Sequence, residues 1–269
     1  MYNIHRKRFS LWFPIFWKAI QIYRAPPLIT ALHLASFNRH EREVEFLLST
    51  RGKDINSTNG TRTYPITSAS LNGYEKVVRL LLEKGAEINA QGGEYRNTLQ
   101  ATSSSGHNTI VQLLLKREAN INAQGGRHRN ALYATYTKGH NKIALILLER
   151  GANVDAQGGF YGNALQATYT KGYHKIALML LERQANINAQ GRFYGNALQA
   201  AYAKGYHKIA LILLERQADV NTQGGFYGNA LQAARHRKYH HIVQILQGHN
   251  CANQSTSQPP PSKRLKVSP

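Results

Sequence analysis

The chain of 269 residues contains a single cysteine, Cys251. One thiol excludes an internal disulfide and a cysteine-ligated zinc site, and it fits a reducing compartment. Acidic residues are scarce, 14 against 34 Lys and Arg, and all of them lie between Glu41 and Asp219. None recurs as a pair poised for acid–base work. No apolar run reaches the ~20 residues of a membrane span. The nearest candidate, Phe9 to Tyr23, is interrupted by Pro14 and Lys18. The Gly-Gly pairs lack the lysine and the spacing of a phosphate-binding loop, and there is no nucleophile elbow. The sequence therefore predicts no enzyme, no cofactor and no metal centre. The 12 histidines include a local group at His236, His240 and His241, but without carboxylates this is a weak metal set.

What remains is apolar and basic. Apolar residues make up 42% of the chain, enough for a substantial core, and the net charge is +20. Such a charge favours an acidic partner, which includes an acidic protein, nucleic acid and an anionic membrane surface. The charge is not confined to the ends. Arg6, Lys7, Arg8, Lys18 and Arg24 lie in the first 24 residues and Lys263, Arg264 and Lys266 in the tail, so the middle of the chain still carries +12.

The middle is repetitive. FYGNALQA begins at Phe160, at Phe193 and at Phe226, an interval of 33 residues. The leucine of this octet extends the register through Leu99, Leu132, Leu165, Leu198 and Leu231, with Ile66 one interval upstream. Leu32 lies 34 residues before Ile66, which places a one-residue insertion near Ser49-Thr50-Arg51. About seven copies are expected over residues 26–250. In the copy at 159–191, Asn163 is placed to cap a helix carrying Leu165, Thr168 and Tyr169 inward, and Gly172 to end it. A second helix is expected from about Tyr173 to Arg183, with Ile176, Met179 and Leu180 as its apolar stripe. Two helices this short cannot bury their faces alone, but stacked neighbours can.

This unit resembles the ankyrin repeat. Thr30-Ala31-Leu32-His33-Leu34-Ala35, Gly106-His107, Gly139-His140 and Leu81-Leu82-Glu83-Lys84-Gly85-Ala86-Glu87-Ile88-Asn89 follow the family pattern. The variant with Ala-Gln-Gly-Gly and Gly-Asn-Ala-Leu-Gln is similar to fungal-type ankyrin arrays. The resemblance implies an all-α solenoid of stacked helix–turn–helix units with β-hairpin-like loops, and a protein-binding role. Two departures stand out. The Thr-Pro-Leu-His core becomes Asn-Ala-Leu-Gln, in which Gln keeps the capacity to bond between copies. The glycine after the second helix, kept at Gly85 and Gly151, becomes Glu118, Gln184 and Gln217, which costs ~1 kcal/mol each if the site is left-handed.

The resemblance also implies loops that project as fingers beside a groove. Phe160, Phe193 and Phe226 then form one column at the finger tips, and Tyr161, Tyr194 and Tyr227 the next. All six are candidates for partner binding. The tyrosine column persists at Tyr95 and reads better as a ladder stacked on the neighbouring loop. The phenylalanine column is replaced by Glu94 and Arg127 in earlier copies, so packing does not demand it, and it reads as a partner site. Leu145, Leu178 and Leu211 form a further column on the second helices, expected to be partly buried.

Residues 1–25 read as a capping helix over the first copy. Contact of residues 9–23 with a membrane is the weaker reading, since Arg6, Lys7 and Arg8 flank Trp12, Phe13, Phe16 and Trp17. Residues 251–269 read as a disordered basic tail in which Lys263, Arg264 and Lys266 resemble a nuclear import signal. The expectation is a monomeric intracellular scaffold, in nucleus or cytoplasm with the nucleus favoured. It binds an acidic protein. The alternative is a nuclear, nucleic-acid-associated factor acting through its basic surface. A sensing module detached from a nucleotide-binding regulatory domain stays open as a third.

Overall fold

The computed structural model describes residues 30–50 and 55–255. The capping helix expected at 1–25, the membrane-contact candidate within it and the import-like Lys263, Arg264 and Lys266 lie outside these residues. The chain divides at Asn120/Ile121 into two compact units.

The first unit contains three helix pairs: α1 (Ala31–Phe37) with α2 (Glu41–Thr50), α3 (Pro65–Leu71) with α4 (Glu75–Glu83), and α5 (Thr98–Ser105) with α6 (Asn108–Lys116). The second contains α7 (Ala131–Lys138) with α8 (Asn141–Glu149), α9 (Ala164–Lys171) with α10 (His174–Glu182), α11 (Ala197–Lys204) with α12 (His207–Glu215), and α13 (Ala230–His236) with α14 (His240–Ser255). A short antiparallel ladder, β1 (Gln157–Gly158) with β2 (Gly162–Asn163), closes the hairpin before α9. Single bridges, Gly125 to Arg129 and Gly224 to Gly228, mark the same hairpin before α7 and α13.

The helix starts follow from local chemistry. Asn97, Asn130, Asn163, Asn196 and Asn229 each accept the backbone N–H three residues on, at 2.7–2.9 Å. Such a bond satisfies one of the free N–H groups of a first turn. α3 lacks a side-chain cap and instead carries Pro65 in its first turn, where the missing N–H does no harm. The inner helices end at Gly106, Gly139, Gly172 and Gly205, all left-handed.

The outer helices bury one stripe each. It consists of Ile143, Ala144 and Leu147 in α8, of Ile176, Ala177 and Leu180 in α10, and of Ile209, Ala210 and Leu213 in α12. The expected stripe of α10 needs one correction: Ala177 takes the inward position, and Met179 is only half-buried. Small Ala lets the inner helix approach closely, while Met179 sits off that line. The inner helices are covered on more sides. Leu165, Thr168 and Tyr169 of α9 are all at most 1% exposed.

Tyr136, Tyr169 and Tyr202 repeat this deep position at 0–1% exposure. The hydroxyls of Tyr136 and Tyr202 have no hydrogen-bond partner among the described residues. Burial pushes all three phenols well above their ordinary range near 10. Tyr136→Phe and Tyr202→Phe are therefore expected to raise stability by ~1 kcal/mol, since a buried unpaired hydroxyl is lost. A raised folded pKa stabilises fully below pH ~10 and loses its contribution as pH rises further. The triple Phe variant at 136, 169 and 202 should thus unfold at higher pH than the parent in an alkaline titration followed by circular dichroism. An unchanged alkaline midpoint would count against this.

The substituted glycine sites are left-handed, as the departure from the family pattern implied. Glu118, Gln184 and Gln217 have φ of 64°, 60° and 64°. At Gly85 and Gly151 an added Cβ meets nothing within 4 Å, so the strain is conformational and not steric. Gln184→Gly and Gln217→Gly should each stabilise by about 0.5–1 kcal/mol, the strain released less the entropy glycine adds to the unfolded chain. A rise in denaturant midpoint at constant slope is the readout.

One boundary differs from expectation. The last helix runs to Ser255, five residues into the segment read as tail. Nothing in Cys251–Ser255 breaks a helix, and the first proline after it is Pro259.

Candidate functional site

The candidate residues sit on the hairpins of the second unit. Phe160 and Tyr161 lie between the paired Gly158 and Gly162, at the hairpin tip. Three such tips are brought side by side. Phe160 and Phe193 have ring centres 5.1 Å apart, and Phe193 and Phe226 stack at 6.1 Å with planes 6° apart. Tyr161, Tyr194 and Tyr227 form a parallel column, stacked at 6.2 and 6.5 Å. Each phenylalanine meets its own tyrosine edge to face, at 5.3, 4.6 and 5.0 Å. Edge-to-face and offset pairs are the favourable aromatic geometries, worth about 0.5–1.5 kcal/mol each.

The two columns differ in exposure. Phe160 is 61% and Phe226 71% exposed, with Phe193 half-buried between them. Tyr194 is only 7% exposed, and Tyr161 and Tyr227 are half-buried. The tyrosines hold the fingers together; the phenylalanines form a solvent-facing apolar strip.

The fingers are positioned by glutamine. Gln166 Nε2 donates to the carbonyls of Ala189 and Gly195, at 2.8 and 2.9 Å, in the next loop. Gln199 Nε2 does the same to Thr222 and Gly228, at 2.8 and 3.2 Å. Gln199 Oε1 also accepts the Asn196 N–H at 3.1 Å, completing a capping box. Gly195 leaves room for this oxygen, which a Cβ would strike. The Gly-Asn-Ala-Leu-Gln string is thus one device, in which the glycine admits the glutamine, the asparagine caps and the glutamine ties down the next finger. In the fourth copy Tyr133 stands where the third, fifth, sixth and seventh have Gln100, Gln166, Gln199 and Gln232. Its ring lies under Gly158 and Gly159, and its hydroxyl accepts the Tyr161 N–H at 3.1 Å. The Leu-Tyr in place of Leu-Gln is visible in the register; its link to the first finger is not.

A second ladder was not foreseen. Asn122, Asp155 and Asn188 each accept, through Oδ1, the backbone N–H of the residue 31 positions on, at 2.8 Å. Asn56 and Asn89 do the same within the first unit.

Charge completes the site. In the second unit the acids are Glu149, Asp155, Glu182, Glu215 and Asp219, and none lies on an inner helix or a finger tip. The inner helices instead end in Lys138, Lys171 and Lys204, all exposed. Lys204 Nζ sits 5.8 Å from the centre of the Tyr194 ring. On the outer helices Leu145, Leu178 and Leu211 are 37–41% exposed, more open to solvent than the partial burial expected of them, because the buried stripe of each helix lies on the side facing its inner partner. Among the described residues no group of His, Cys, Asp and Glu converges as a metal site.

A family model described as ankyrin repeats (3 copies) matches residues 20–92. That match covers the start of the chain, and the repeat it describes is the helix pair that recurs along the rest. Its fold matches the crystal structure of the human ASB11 ankyrin repeat domain with a TM-score of 0.66 at 22% identity, covering 77% of this chain and 92% of that one. No curated protein matches it. Ankyrin repeats are in general protein–protein interaction modules. No helix among the described residues is long and apolar enough to cross a membrane.

Proposed function

We propose that this chain is a non-enzymatic docking scaffold whose second unit binds an acidic protein through the Phe160, Phe193 and Phe226 strip. The observation that carries this reading is the exposure of Phe160 and Phe226, 61% and 71%, on either side of Phe193, on tips already joined by a tyrosine ladder. Apolar strips on a protein surface mark interaction sites, and pre-ordered aromatic anchors lose little entropy on binding. The acid-free inner face beside them adds attraction for an acidic surface, which acts mainly on the encounter rate. Basic charge and the import-like Lys263, Arg264 and Lys266 also support a nuclear, nucleic-acid-associated reading. Against it, the exposed lysines near the strip are few and the Tyr194 ring, stacked on both sides, offers no face to a base.

Affinity capture from nuclease-treated lysate separates the two. A discrete protein should survive a high-salt wash and fall at least tenfold with the Phe160→Ser, Phe193→Ser, Phe226→Ser variant, as for a central hot spot. Retention that disappears with nuclease or salt, and ignores the three substitutions, would sink the docking reading and favour nucleic acid.

A further inference from the structure

Lys138, Lys171 and Lys204 occupy one register position, the last residue of three successive inner helices. These helices pack against one another, and packed helices lie about 8–10 Å apart. The same register in the first unit holds Asn72 and Ser105, so a cation is not needed there for packing. No acid stands beside the row on the inner helices or tips, and the ion pairs among the described residues fall in the first unit. The row meets the aromatic ladder at Lys204 and shares its 33-residue register. Lys204 Nζ is 5.8 Å from the Tyr194 ring centre, and that ring is 4.6 Å from Phe193. Row and strip therefore form a narrow ledge with cations on one side and phenylalanines on the other.

We propose that this ledge binds an extended acidic segment of a partner protein that carries a carboxylate at every third residue. The inference rests on the docking reading above and names the chemistry of its partner. A polyproline-type chain has three residues per turn and rises about 3.1 Å per residue, so every third side chain points the same way at about 9 Å intervals. That matches the lysine row. A flat β-strand puts same-side residues about 6.6 or 13 Å apart and slips out of step. The three faces of the polyproline chain also leave one face of apolar residues for the phenylalanines. Seven residues of such a chain span all three lysines.

The probe is a labelled peptide of four Glu-Pro-Leu triplets, set against an isomer of identical composition with the glutamates clustered. Binding to the full chain is read by fluorescence anisotropy at low and at physiological salt. The triplet peptide should bind about tenfold more tightly than its isomer, as three exposed ion pairs together supply, and the advantage should shrink as salt rises. It should vanish in the Lys138→Gln, Lys171→Gln, Lys204→Gln variant, whose exposed substitutions leave the fold intact by circular dichroism. Equal binding of the two isomers overturns the proposal. So does a preference that survives the lysine variant, or tighter binding of a helical peptide with glutamates seven residues apart or of a single-stranded oligonucleotide of equal charge. The phenylalanine variant is run beside these. If it keeps the tenfold preference while binding as tightly as the parent, the lysine row stands and the finger-tip reading falls.

Discussion

Gln199→Leu lowers stability by about 3 kcal/mol, whereas Gln232→Leu changes it by no more than about 0.5 kcal/mol. The two glutamines hold the same register one copy apart. Gln199 is fully buried, and Gln232 is exposed, with no following finger among the described residues. Leucine fills nearly the volume of glutamine but takes away three hydrogen bonds. The Gly228 carbonyl keeps the Gly224 N–H at 2.7 Å and survives. The Thr222 carbonyl and the Asn196 N–H lose the glutamine bonds of 2.8 and 3.1 Å. Each buried group left unpaired costs about 1–3 kcal/mol, far more than the net gain from making an ordinary bond. Urea denaturation of the two variants is the test. Equal losses would mean that the finger is held by its aromatic stack and not by glutamine.

This asymmetry shows what a sequence of this kind discloses. The 33-residue interval carries the helix pairs, because each copy must repeat its cap, its inner face and its turn. Asn163 and Gly172 could be assigned from residue type alone, since capping is local. The bond from Gln199 to the next loop follows from the family resemblance, because another copy supplies the partner. The Asn122, Asp155 and Asn188 ladder escaped notice for the same reason: its acceptor and donor are 31 residues apart, and neither is unusual in a polar loop. Met179 against Ala177 is a finer matter of which side of the stripe faces the neighbour, and hydrophobicity points to the wrong residue. Phe160, Phe193 and Phe226 stood out because earlier copies replace them with Glu94 and Arg127. The lysine row was equally periodic but went unread. Charged residues at helix ends have a local explanation in the helix dipole, and only the position of Lys204 over Tyr194 ties the row to the ladder.

Gly225→Ala should cost about 3 kcal/mol or more, against about 0.5–1 kcal/mol for Gly151→Ala. Both glycines are left-handed, with φ of 65° and 85°, so both substitutions carry the same conformational strain. They differ in what surrounds them. At Gly151 an added Cβ meets open space; at Gly225 it meets the backbone nitrogen of Gly195 and the carbonyl carbon of Tyr194. Backbone atoms cannot rotate away, so the whole finger must move. That movement breaks the bond from the Phe226 N–H to the Phe193 carbonyl, 2.8 Å long, and parts the Phe193–Phe226 stack. Near-ultraviolet circular dichroism should therefore lose aromatic signal in Gly225→Ala and keep it in Gly151→Ala. If the docking reading is right, partner retention falls with the signal, because one phenylalanine has left a strip whose value is its prior order. Should the two alanines instead prove equally mild, the tips would be free to part at little cost, and neither the strip nor the lysine row beside it could rely on a fixed spacing.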